Sequence, residues 1–313
     1  MIRRAFPWIV AVLLLAAPAL LTPYTYDLLL RIMVMAVFAL SLELLVGMTG
    51  LVSLGHAAFL GIGAYSTVLL SPQYDPGNAL LLLLTAAGIS ALYALFVGAL
   101  SLRTKGVYFI MVTLAFAQMA YFVFHDTPIG RGTDGIYLVA RPVAGAFDAE
   151  NRTHLYYLVT GTLIGTYGLL ALVRRSRFGH ALAGIRVNEQ RMRAVGFATY
   201  VYKLAAFVLA GALAGVAGFL LAVKDGFVNP ELLSWHESGA VLLMIILGGI
   251  GHLRGAVLGA AAFVLLRELY ASPDLVGPVS EHWQLALGLT IIVFVALLPK
   301  GLIGLPARLR GRR

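Results

Sequence analysis

Residues 201–223 read VYKLAAFVLAGALAGVAGFLLAV, with Lys203 the lone charge in an apolar run threaded with small residues. A helix across the roughly 30 Å hydrocarbon layer of a bilayer needs about 20 consecutive, mostly apolar residues, and this stretch supplies them. Outward from it, comparable runs lie at about 7–22, 28–48, 51–70, 79–101, 106–124, 154–173 and 283–298, with two shorter ones at 238–250 and 255–267. Of 313 residues, 60% are apolar and 12% charged, about half the charged share of a water-soluble domain. A single soluble core is excluded. The expected fold is all-α: a polytopic integral membrane protein of about eight to ten transmembrane helices. It forms one domain over 1–313, with a cytoplasmic loop at 174–200 and an extracytoplasmic loop at 125–153.

The charges divide along the chain. With the N-terminus inside, alternate loops carry Arg3, Arg4, Arg103, Lys105, Arg174, Arg175, Arg177, Arg186, Arg191, Arg193, Lys203, Arg254, Lys300, Arg308, Arg310, Arg312 and Arg313, which is 17 of the 23 basic residues. That bias predicts both termini in the cytoplasm. The first run, with Arg3 and Arg4 before it and Ala17-Pro18-Ala19 within it, shares features with a cleaved signal; given the many spans that follow, it is expected to be retained.

Two places interrupt the apolar pattern. Gly251-His252-Leu253-Arg254 joins the short runs 238–250 and 255–267, and Gly47-Met48-Thr49-Gly50 joins the second and third runs. Loosely aligned, Gly47 pairs with Gly248, Gly50 with Gly251 and Gly55 with Gly255, a weak internal repeat. Interrupted or re-entrant segments at matching places often mark a transporter's substrate path; ordinary helical hairpins with glycine turns are the plainer alternative. Small residues four apart (Ser53, Ala57 and Gly61; Gly161 and Gly165; Ala210, Ala214 and Gly218; Gly251, Gly255 and Gly259) predict close helix packing.

Much chemistry is missing. None of the four lysines stands in the Gly-Lys-Ser/Thr sequence of a phosphate-cradling loop, and no His-Glu-x-x-His pair occurs. Cysteine is absent, which removes disulfides and thiolate ligands. Neither a metal nor a cofactor is expected on this chain, which is read as a transport subunit and not an enzyme, and no nucleic-acid partner is expected. Glu43 alone sits clearly inside a span, as a helix-helix clamp or as a gate. Energy is therefore expected from outside the chain.

In the loop 174–200, Asn188 can cap a helix, Glu189 lies in its first turn, Arg191 and Arg193 approach its end, and Gly196 is placed as the left-handed stop. A helix of about two turns would present Met192 and Val195. It could lie on anionic lipid or dock in a partner protein.

Several stretches together resemble the permease subunits of branched-chain amino acid ABC importers. They are 175–196 (RSRFGHALAGIRVNEQRMRAVG), 202–207 (YKLAAF), 214–218 (AGVAG), 50–65 (GLVSLGHAAFLGIGAY), 106–114 (GVYFIMVTL), and Gly248-Gly249-Ile250-Gly251 with Gly255. Residues 130–136 (GRGTDGI) are similar to the family's outer-loop signature, with Arg131 where glycine is common.

The resemblance implies a bacterial inner-membrane importer. A second, related permease completes the path, two cytoplasmic ATPases use ATP and magnesium, and an extracytoplasmic binding protein delivers leucine, isoleucine or valine. Candidate path residues are Ser53, Gly55, His56, Gly248, Gly249 and Gly251, with Thr113 and Gln118 secondary. Arg186, Asn188, Glu189, Arg191, Met192, Arg193, Val195 and Gly196 are candidates for ATPase coupling, and Gly132, Thr133, Asp134 and Gly135 for an outer gate or docking site. A related cargo such as urea, an amide or another amino acid is an alternative, as is an ion-coupled carrier acting alone.

Overall fold

The computed structural model describes residues 22–72, 74–145 and 147–304; the run 7–22 and the terminal arginines fall almost wholly outside them. Helix α1 (Pro23–Glu43) starts with Thr22 as N-cap and Pro23 in its first turn, and continues as one π-helical segment, Leu44–Thr49. After an irregular stretch come α2 (His56–Leu70), α3 (Ala79–Ser101), α4 (Val107–Asp126) and α5 (Arg152–Arg175). Two short helices follow, α6 (Arg177–Val187) and α7 (Glu189–Ala194), then the long α8 (Thr199–Asp225). The chain ends with α9 (Trp235–Gly248), α10 (Leu253–Ala271), α11 (Pro273–Val276) and α12 (Trp283–Leu297). Two-residue strands β1 (Ile136–Tyr137), β2 (Val143–Ala144), β3 (Phe147–Asp148) and β4 (Phe227–Val228) pair antiparallel as β1 with β4 and β2 with β3.

Among the described residues, six helices are long and apolar enough to cross a membrane, and α9 with α10, bent by 117°, makes a seventh if counted as one span. The expectation of about eight to ten also counted 7–22, the two halves of that pair and the run 51–70. In the last of these, helix begins only at His56. Gly50 takes a left-handed φ of 76°, and Ser53 Oγ accepts a bond from the Gly55 amide, so the backbone between them cannot continue the helix. At 15 residues, α2 is about 22 Å long, short for the bilayer without the irregular segment before it.

Two spans form the centre. In the apolar windows of α1 and α8, 83% and 78% of residues are buried, against 33% or less for α3, α4, α5 and α12. Leu80, Leu84, Leu92 and Phe96 of α3 and Leu285, Leu289 and Ile292 of α12 are exposed apolar side chains suited to lipid. The centre is held by backbone approach: a side chain at Gly218 would overlap the Leu60 carbonyl, one at Gly63 the backbone of Gly215, and one at Gly248 the carbonyl of Gly255. Lipid gives helices no hydrophobic reason to associate, so such close packing supplies the attraction. The pairing expected at Gly161 and Gly165 differs, since nothing among the described residues lies within 4 Å of a Cβ built at either.

The two ends of the bundle differ chemically. Tyr200 of α8 donates to the Ala99 carbonyl of α3 at 2.9 Å, so the Arg103 and Lys105 link lies at the same end as α6 and α7. The β1–β4 pair marks the opposite end, with Arg131, Arg141, Lys224 and most acidic residues.

Candidate functional site

The two interruptions meet. Glu43, the last residue of α1, is 2% exposed, and its Oε1 accepts a 2.6 Å hydrogen bond from the Gly251 amide. Gly251 has φ 90° and stands just before α10, as Gly50 with φ 76° closes the π-helical segment after α1. Gly47 is open because the Glu43 carboxyl fills the space where its side chain would be. From α6, the Arg186 guanidinium donates to the Gly47 carbonyl, and Nη1 lies 3.8 Å from the Cβ position of Gly251. Its stem covers Gly50. One arginine of the 174–200 loop thus bonds to one interruption and lies beside the other.

Beside this junction lies a buried polar group of the predicted path residues. His56 is fully buried at the start of α2, its Nε2 2.8 Å from Ser41 Oγ, its ring stacked on Phe38 and edged by Phe59. The next amide, of Ala57, donates to Ser238 Oγ of α9 at 2.9 Å. Ser53 is buried, and Gly55 packs so tightly on the Thr113 carbonyl that any side chain would overlap it. Thr113 bonds back to its own helix, to Ile110 O at 2.9 Å. Gln118 is half-buried farther along α4. Gly248 and Gly249 are packed against α10 and against the Lys300–Gly301 backbone, so their lack of side chains serves the hairpin itself. His56 Nδ1 and Glu43 Oε2 have no hydrogen-bond partner among the described residues.

Sequence reading named Ser53, Gly55, His56 and Thr113, which the structure brings together, but not Ser41 and Ser238, whose signal was a hydroxyl within one apolar run and at the start of another. Among the described residues no group of three His, Cys, Asp or Glu side chains could hold a metal ion.

The loop contains more helix than expected. Ser176 caps α6 through Gly179 N at 3.2 Å, and Asn188 caps α7 through Arg191 N at 3.0 Å. Gly196, φ 94°, stops α7, and the Phe197 amide returns to Met192 O at 3.0 Å. Glu189 turns toward α8. Its Oε1 accepts from Lys203 at 2.9 Å, from Thr199 at 3.1 Å and from Arg193. Burial pushes its carboxyl up, but the bonds from Lys203 and Arg193 outweigh this and hold it down at about 2. Met192 corrects the expected surface: it is half-buried, its side chain seated in the space left at Gly184, which leaves Val195, Val187 and Arg191 exposed.

At the other end, Gly132–Asp134 form a 3₁₀ turn with Thr133 and Asp134 exposed. Gly135, φ 65°, passes under the Val228 carbonyl, and Leu138 N bonds to Gly226 O at 2.9 Å. The turn is thereby tied to the end of α8.

A family model described as branched-chain amino acid transport system / permease component matches residues 24–296. The chain is 31% identical over 324 residues to the high-affinity branched-chain amino acid transport system permease protein LivM of Escherichia coli (strain K12), covering 95% of this chain and 74% of that one. LivM of Salmonella typhimurium is 29% identical, over 96% and 75% of the two chains, and LivH of the same species 22%, over 87% and 91%. No solved structure gives a significant match. With membrane-spanning helices built around two interruptions and a family match over most of its length, the chain belongs to the permease component family of branched-chain amino acid transport systems.

Proposed function

We propose that the chain is one of two membrane subunits of an ATP-driven importer of leucine, isoleucine and valine, in the bacterial inner membrane with both termini cytoplasmic. The observation that carries this is the match over residues 24–296 together with the LivM and LivH relatives, each a branched-chain amino acid permease by description. A LivH-like permease completes the path. Two cytoplasmic ATPases bind magnesium and ATP, and a binding protein brings the amino acid to the end that carries β1 and β4.

Several observations support this reading. Basic residues collect at the α6–α7 end, as expected of a cytoplasmic face. There α6 and α7 present Val187, Val195 and Arg191 to a partner, while Asn188, Glu189, Arg193 and Gly196 give α7 its shape and seat. The path follows Ser53, Gly55, His56, Thr113 and Gln118 beside Gly248, Gly249 and Gly251, a buried polar group in which His56 Nδ1 has no hydrogen-bond partner among the described residues. The turn Gly132-Thr133-Asp134-Gly135 is the outer contact. Reconstitution with the ATPases, the second permease and the binding protein tests it. ATP-dependent uptake of labelled leucine is expected, with none by this chain alone under an ion gradient. Uptake of urea or a short amide in place of leucine would overturn the cargo, and uptake by the lone chain would overturn the subunit role.

A further inference from the structure

Glu43 is an expensive residue where it stands. A carboxyl group inside the apolar layer is costly, and here one of its oxygens is buried with no hydrogen-bond partner among the described residues. Three features nevertheless fit themselves to it. Gly47 leaves out a side chain to make room, Gly251 turns its amide toward Oε1 through a left-handed φ, and Arg186 reaches the Gly47 carbonyl while lying against Gly251. The bond joins residues 208 positions apart, so it ties one interruption to the other. Arg186 is the only one of these groups carried on the short helices. Its helix α6 holds Met192 of α7 at Gly184, and α7 is fastened to the first turns of α8 by Glu189 and Lys203. Moving α6 and α7 therefore moves the Arg186 guanidinium relative to both interruptions.

We propose that Glu43 and Arg186 are positioning residues of a latch that holds the two interruptions together at the α6–α7 end, and that displacement of α6 withdraws Arg186 and releases it. The inference rests on the proposed reading that ATPases act on α6 and α7. With the latch closed, Glu43 Oε1 and the Gly251 amide satisfy each other and the two interruptions stay in contact. With Arg186 withdrawn, the Gly47 carbonyl loses its donor, and water entering from that end solvates it and the Glu43 carboxyl.

The assembled complex in proteoliposomes, with binding protein and ATPases, provides the test. Glu43→Ala removes the acceptor; Arg186→Met keeps the stem over Gly50 but removes the donor. Both should raise leucine leak without nucleotide, and ATP hydrolysis without binding protein, about tenfold, the scale of one lost hydrogen bond to a charged group. Glu43→Gln retains an oxygen for the Gly251 amide and should stay within about twofold of wild type. Tight, fully coupled Ala and Met variants would overturn the latch, as would a Gln variant as leaky as the Ala one. A second measurement needs neither mutation nor cargo: hydrogen exchange of the wild-type amides at 250–252. Protection there should fall about tenfold when the ATPases are trapped with nucleotide and vanadate; unchanged protection overturns the proposal. Failure of the leucine reading shows separately, as absent wild-type uptake.

Discussion

Replacing Glu189 with alanine should free α7 from α8. Glu189 Oε1 takes three donors, and one of them, the Lys203 ammonium, belongs to a side chain only 7% exposed. Removing one partner of a buried pair costs about 3–5 kcal/mol; the Glu189 side chain is 22% exposed, so water reduces this to about 2–3 kcal/mol. The carboxyl's fall from 4.5 to about 2 points to the same scale, at about 1.4 kcal/mol per unit before screening. Little else holds α7. It has six residues, and an isolated helix shorter than about 12 residues is unstable in water. In nanodiscs at neutral pH, amide exchange across 188–197 should accelerate about 30- to 150-fold while the body of α8 stays protected. Acceleration below about threefold, or spread evenly through α8, would refute the account of Glu189 as the clasp.

Further expectations follow from the same contacts. Because the folded Glu189 carboxyl titrates below its unfolded value, the clasp contributes fully above about pH 4.5 and is lost as pH falls toward about 2; exchange at 188–197, corrected for its intrinsic rate, should rise only in that window. Gly196→Val forces a β-branched residue to φ 94°, costing about 1–2 kcal/mol, and should weaken ATPase copurification without reducing membrane insertion. Gly255→Leu would drive a side chain into the Gly248–Gly249 backbone and should abolish folded yield in detergent chromatography, whereas Gly161→Leu, with nothing among the described residues within 4 Å, should leave the yield of this chain unchanged.

What could be read in advance was local. Apolar runs placed α3, α4, α5, α8 and α12 to within a few residues because a span's length is set by the bilayer. Asn188 and Gly196 marked α7 because caps act within one turn. Helix α6 went unread although Ser176 caps it, since its glycines and arginines give no apolar run. Meetings between distant residues left no such trace. That Glu43 finds Gly251, that Glu189 turns to Lys203, and that Gly55 lies on Thr113 depend on how α1, α4, α8 and the α9–α10 hairpin are arranged in space. The Gly161 and Gly165 spacing looked like the Gly255 and Gly259 spacing, yet among the described residues only the latter has a close neighbour.

Arg131 holds a left-handed φ of 55° between Gly130 and Gly132, in a turn that would suit glycine better. A non-glycine residue in that region carries about 1 kcal/mol of steric cost. The turn therefore tolerates a cation at the expense of its own stability. Its charge and its shape are separable: glycine at this position should relax the backbone while erasing one positive charge from the end of the bundle that carries β1 and β4.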